Sequence, residues 1–176
     1  MHSDGPPKIT MNAASITAFV TSGRGIASSA RVSEIEELSE LKRSQLIHGS
    51  LNLISTRPVW LNPETAIFTN GDQFYWDACL NDFPVIVNRW SGCPVHVYEV
   101  FATECLRDKW NLADGDPVSL SFPIKAICSA KTASAAHNFI WRAVWRWREK
   151  QYYADGAYSR LMCHGPLRNC THRSRQ

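Results

Sequence analysis

His48-Gly49-Ser50-Leu51-Asn52-Leu53 alternates polar and apolar side chains from Ser50 onward. On an extended strand, read here as Ser50 to Ser55, this sends the Ser50 hydroxyl and Asn52 amide to one face and Leu51 and Leu53 to the other. Gly49 leaves the backbone ahead of the strand open to close approach. Two neutral oxygen donors two residues apart suit one hard cation, which takes oxygen ligands and keeps water or phosphate beside them. The same pattern also describes a half-buried strand with a wet polar face.

Upstream, Val32 to Leu46 reads as a helix. Ser33 can cap it, Glu34, Glu36 and Glu37 fall in the first turn, and Lys42 and Arg43 lie near the end, an order that suits the helix dipole. Ile35, Leu38, Leu41 and Leu46 supply its apolar stripe. Before it, Ile16 to Thr21 is β-branched and aromatic and reads as a strand. That strand runs into Ser22-Gly23-Arg24-Gly25-Ile26-Ala27-Ser28-Ser29. Such a segment can form a backbone nest for phosphate oxygens or a plain hairpin turn. It meets neither the dinucleotide nor the P-loop spacing.

Downstream, the prolines in Arg57 to Pro63 make a turn-rich link. Ala66 to Thr69 is a short strand, and Asn70-Gly71-Asp72 is a hairpin signal. Gln73 to Leu80 and Val85 to Arg89 read as strands around Asn81-Asp82-Phe83-Pro84. His96 to Ala102 is a strand with Tyr98 and Glu99 on opposite faces, Glu104 to Trp110 is a short helix, and Pro117 to Phe122 is a last strand. Many short strands with two short helices predict a mainly β, α+β fold: a small β-barrel with helical insertions and a C-terminal helical extension.

The 176 residues suit one domain with appendages: a flexible N-terminus over 1–14, the barrel over 15–122, and an extension over 123–176. Charge divides at that last boundary. Residues 1–122 carry nine Lys/Arg against fourteen Asp/Glu, and residues 123–176 carry ten against two. Thr132 to Tyr153 reads as a helix with interleaved Trp and Arg, suited to docking on the barrel or a second subunit, or to nucleic acid or an anionic surface. The tail pair Cys163 and Cys170 with His164 and His172 matches no common zinc spacing. No apolar run is long enough for a transmembrane helix, and Met1 to Met11 lacks a signal-peptide core. With scattered, unpaired cysteines, these features predict a cytoplasmic protein.

Laid in order, four segments resemble the archaeal-type, CTP-dependent riboflavin kinases. They are Ser22-Gly23-Arg24-Gly25 with the helix after it, Gly49-Ser50-Leu51-Asn52-Leu53, Val85 to Ser91, and Tyr98 to Ala102 through Leu106 to Asp116. The family's wording at the second is Gly-Thr-Leu-Asn-Leu. In the fourth, a Leu-Arg, an Asn-Leu and an Asp-Gly-Asp fall at matching offsets. The resemblance implies a cradle-loop β-barrel that transfers phosphate from CTP to riboflavin, giving CDP and FMN with the help of Mg²⁺.

It implies Ser50 and Asn52 as Mg²⁺ ligands, with Ser50 standing where the family has threonine. Gly23, Arg24, Gly25, Ile26, Ala27 and Ser28 would hold the nucleotide phosphates, and Glu104, Cys105, Leu106 and Arg107 would form part of the cytidine nucleotide site. Ser91 and Glu99 would face the flavin, and as the carboxylate nearest that acceptor Glu99 could accept the ribityl hydroxyl proton or orient it. On residue grounds alone, Glu99 also fits a solvent-facing strand carboxylate, and Arg107 a helix-surface arginine. The chain departs from the family at Gly25-Ile26-Ala27, where the loop usually continues Gly-x-Gly-Glu-Gly or Gly-x-Gly-x-Ala, and near Trp90-Ser91-Gly92-Cys93.

Overall fold

In the computed structural model, Leu51 and Leu53 are 5 % and 0 % exposed, while Asn52 between them is only partly covered. The alternation therefore works as a strand with one face in a core. The structure describes residues 12–22, 31–55, 59–91, 93 and 95–128. The Gly23 to Ser28 segment, the stretch from Thr132 to Tyr153 expected to be a helix and the rest of the tail lie outside them.

Seven strands alternate with two helices: β1 (Ala13–Thr21), α1 (Val32–Lys42), β2 (Leu51–Ser55), β3 (Phe68–Asn70), β4 (Gln73–Leu80), β5 (Phe83–Trp90), β6 (Val97–Phe101), α2 (Leu106–Trp110) and β7 (Pro117–Pro123). Single 3₁₀ turns occupy Pro63–Thr65 and Ile124–Ala126. The strand order is β3-β4-β5-β6-β2-β1-β7, and β4 also pairs with β7. Six antiparallel strands, β4, β5, β6, β2, β1 and β7, thus close into a barrel, with β3 as a short flap on β4. Closure leaves the barrel strands no free edge among themselves.

Inward-facing residues fill the barrel, among them Ala18 and Val20 of β1, Trp76 and Leu80 of β4, Val85 and Val87 of β5, Tyr98 and Val100 of β6, and Leu120 and Phe122 of β7. Each large apolar side chain so buried contributes about 1.5–3 kcal/mol from water exclusion. A second cluster lies on the outer face, where Ile35 and Leu38 of α1, with Leu46, cover Tyr75, Ile86 and Phe101.

Turn chemistry sets the register. Leu80 pairs with Phe83 across Asn81-Asp82, and both turn residues have positive φ, 47° and 64°. Asn and Asp tolerate that region because their short side chains bond locally, and a turn with both φ values positive matches the twist of the flanking strands. The β4–β5 hairpin is therefore tighter than expected, and Phe83 and Pro84 belong to β5. Asn70 pairs with Gln73 around Gly71, whose φ is +58°.

The expected helix over Val32 to Leu46 ends at Lys42, because Arg43 adopts a left-handed conformation (φ 50°) and its N–H bonds back to Glu40. Ser33 lies inside the helix and bonds Glu34 rather than capping it. Leu41 is 55 % exposed, so the covered stripe is Ile35 and Leu38. Past Phe122, Asn62 N donates to Ala126 O at 2.8 Å and Cys128 N to Trp60 O at 2.9 Å. The chain thus remains on the barrel to Cys128. No helix among the described residues is long and apolar enough to cross a membrane.

Candidate functional site

Directly opposed residues of antiparallel strands share a face, so the register reads off a row across the outer wall. Thr21 of β1 lies opposite Asn52 of β2, Asn52 opposite Glu99 of β6, Glu99 opposite Asn88 of β5, and Asn88 opposite Tyr75 of β4. Polar side chains thus run across neighbouring strands beside the apolar patch that α1 covers. Of the outward-facing residues, this row gathers the polar side chains that the sequence also singled out, so it is the candidate site.

Glu99 is its hub. The Ser50 hydroxyl donates to Glu99 Oε1 at 2.9 Å. Arg31, just ahead of α1, places Nη1 2.8 Å from Glu99 Oε2, with the two side chains 16 % and 12 % exposed. The same guanidinium nitrogen donates to Asn88 Oδ1. Asn88 is fully buried and fixed in turn, its amide nitrogen donating to Gln73 Oε1 at 3.3 Å and to Phe74 O at 3.2 Å. Charge-assisted bonds from one guanidinium nitrogen to both partners hold this geometry more firmly than neutral donors would. At the end of the row the Tyr75 hydroxyl is buried without a hydrogen-bond partner among the described residues. Burial pushes its pKa up to about 12, against the opposing pull of the Arg31 guanidinium, so it stays protonated.

The structure brings together Ser50, Asn52 and Glu99 of the expected residues. Their hydroxyl, amide and carboxylate oxygens are the donor set a hard cation prefers, and this chemistry fits Mg²⁺. Among the described residues no group of three or more His, Cys, Asp and Glu side chains could hold a metal. A cation here would therefore need ligands from water and phosphate, which Mg²⁺ ordinarily uses.

The other expected residues lie elsewhere. Ser91, past the end of β5, donates its N–H to Asp72 O at 2.8 Å. Among the described residues no hydrogen bond joins it to Glu99. Glu104 pairs with Lys109 at 2.7 Å, Cys105 is exposed ahead of α2, and Leu106 is buried in the barrel core. Arg107 Nη2 donates to Thr21 O at 2.9 Å and to Asp114 Oδ1 at 2.7 Å, anchoring the exit of β1. Gly23, Arg24, Gly25, Ile26, Ala27 and Ser28 lie outside the described residues.

Two members of the network escaped the sequence reading, Arg31 and Asn88. Asn88 carried a usable signal, an amide directly after the apolar run Val85-Ile86-Val87, within a strand pattern that disfavours Asn. Arg31 carried none, because its role depends on a strand 68 positions later (99 − 31). Compared with known proteins, the chain matches no protein-family model and no curated sequence.

Proposed function

We propose that this barrel transfers a phosphoryl group from CTP to the terminal ribityl hydroxyl of riboflavin, giving FMN and CDP. The observation that carries the reading is the convergence of Ser50, Asn52 and Glu99, three residues brought to one patch by β2–β6 pairing and by the bond from Ser50 to Glu99. The ordered resemblance of the surrounding segments to the CTP-dependent riboflavin kinases supplies donor and acceptor. Phosphoryl transfer asks a protein mainly for positioning and charge neutralisation, so a small oxygen-donor face can suffice.

In this reading the acceptor hydroxyl oxygen bonds to the γ-phosphorus as the bond from that phosphorus to the β–γ bridging oxygen breaks. CDP leaves with the bridging oxygen. Glu99 orients the hydroxyl and takes up its proton, since both carboxylate oxygens keep a lone pair beyond those used by Ser50 and Arg31. Ser50 and Asn52 would hold the cation, and Mg²⁺ would supply charge neutralisation on the phosphates. Ser50 donates its proton to Glu99 and so keeps its oxygen lone pairs turned toward a ligand.

Incubation of the protein with riboflavin, Mg²⁺ and each nucleoside triphosphate in turn, with FMN read by chromatography, tests the reaction. FMN should form best with CTP, and its absence under every condition would sink the proposal. Asn52→Ala should lower turnover by roughly 100-fold, in the range typical of losing a ligand or its support. Excess Mg²⁺ should recover part of that loss. Undiminished activity would remove Asn52 from the site.

A further inference from the structure

We infer that Arg31 decides what the Ser50–Asn52–Glu99 face accepts: by neutralising Glu99, it makes the face take a divalent cation together with nucleotide phosphates and not as a free ion. The inference rests on the kinase reading for its ligand class and adds a selectivity to it.

Charge and placement lead to this. Ser50, Asn52 and Asn88 are neutral, and Glu99 is the carboxylate of the row. Its charge is cancelled by Arg31 at 2.8 Å, in a setting where the two side chains are only 16 % and 12 % exposed. Water screens such a pair poorly, so the cancellation is felt across the patch. Two further carboxylates face this wall: Asp77, itself paired with Lys42 of α1, and Glu34 of α1, which accepts from Asn70 Nδ2 at 3.4 Å toward the Tyr75 end of the row. Arg31 cannot drift away cheaply, because Asn88 Oδ1 accepts from the same guanidinium and is held by its own bonds to Gln73 and Phe74. A face with two neutral oxygens and a cancelled carboxylate offers a bare dication little attraction. A phosphate chain supplies the missing negative charge, so cation and nucleotide arrive together.

Arg31 is thus a positioning and selectivity residue. It fixes the Glu99 oxygen that Ser50 does not use.

Mn²⁺ is the probe, titrated into the full chain and followed by electron paramagnetic resonance, first alone and then with CDP. The wild-type protein should bind free Mn²⁺ weakly and tighten on adding CDP. Arg31→Gln should bind free Mn²⁺ about tenfold more tightly, the scale expected for uncovering one partly screened charge beside a dication. Adding Glu99→Gln to that variant should return the affinity to the wild-type value. Arg31→Lys, which keeps the charge, should stay near wild type. An Arg31→Gln protein that melts cooperatively yet binds free Mn²⁺ no better than wild type overturns the proposal, as does a gain that survives Glu99→Gln.

Should Arg31→Gln not fold, Glu99→Gln alone gives a second reading. It leaves the arginine charge uncompensated, so metal-free CDP should bind several-fold tighter, and unchanged CDP affinity overturns the proposal. FMN formation is measured separately. FMN formed by wild type with unchanged Mn²⁺ binding in Arg31→Gln sinks the Arg31 proposal alone. No FMN together with the predicted Mn²⁺ pattern sinks the kinase reading alone.

Discussion

Arg89 is fully buried, at 0 % exposure, and has no salt-bridge partner among the described residues. It shares the inward sense of Val85 and Val87. Its guanidinium lies 4.1 Å over the Tyr98 ring and donates to Val97 O at 2.9 Å, to Val59 O at 2.6 Å and to Val95 O. Carbonyl dipoles and a ring face replace the water such a charge would otherwise keep. One side chain thereby ties the link after β2 to the loop before β6. Arg89→Met would leave those carbonyls without their donor, and the expected loss is about 3–5 kcal/mol by denaturant unfolding. A loss near 1 kcal/mol would show that the loops find other partners. Nothing in Val85 to Arg89 announced this. A charged residue ending an apolar run looks like a strand reaching solvent, and only closure of the barrel puts it inside.

At the scale of elements, the Asp-Gly-Asp of the fourth resembling segment has a structural account. Gly115 takes φ +95°, its N–H donates to Val20 O at 2.8 Å, and Val20 N donates to Asp116 O at 3.0 Å. The turn before β7 is thereby stitched to the end of β1. Asp114 completes the clamp by accepting from the Ser22 backbone N–H at 2.9 Å, from the Ser22 hydroxyl and from Arg107. The Ser22 hydroxyl first, then Arg107, holds the Asp114 carboxyl below its ordinary value of 3.8. A depressed carboxylate stabilises the fold above its unfolded pKa, and that contribution disappears as pH falls through the folded value. Asp114→Asn should therefore melt below wild type at pH 7, with the gap closing as pH falls below the ordinary carboxyl value. The effect will be small because the group is exposed to solvent. Thermal melts across that range check it, and a gap independent of pH would deny the carboxylate its role. The Asp-Gly turn was legible in the sequence; its partners Val20 and Ser22, about 90 residues upstream, were not.

For the whole molecule, closure depends on a short seam. β4 pairs with β5 continuously from Gln73–Trp90 to Leu80–Phe83, whereas β4 and β7 meet at Cys79–Ser121 and Leu80–Leu120. Leu80 and Leu120 are both 0 % exposed, so the seam is sealed by side-chain burial more than by its ladder. Leu120→Ala should cost about 2–5 kcal/mol. It should also speed amide exchange at Ser121 and Cys79 more than along β4–β5, as read by hydrogen–deuterium exchange. Uniform acceleration over the whole barrel would mean the seam opens only with global unfolding.

The sequence by itself determined the mainly β class, the succession of strands along the chain and the two faces of Ser50 to Leu53. Alternation with period two, helical charge order and turn-forming Gly and Asn-Asp pairs are local properties, and a strand shows its buried face in its own residues. Tertiary structure alone decided that β4 closes on β7, that Arg89 turns inward, and that Arg31 and Asn88 meet on Glu99. These follow from register between strands distant in sequence. A one-residue slip would send Glu99 to the barrel interior and break the row across the wall. Local composition cannot register that alternative, whereas packing the Leu51, Leu53, Tyr98 and Val100 side chains into one core excludes it.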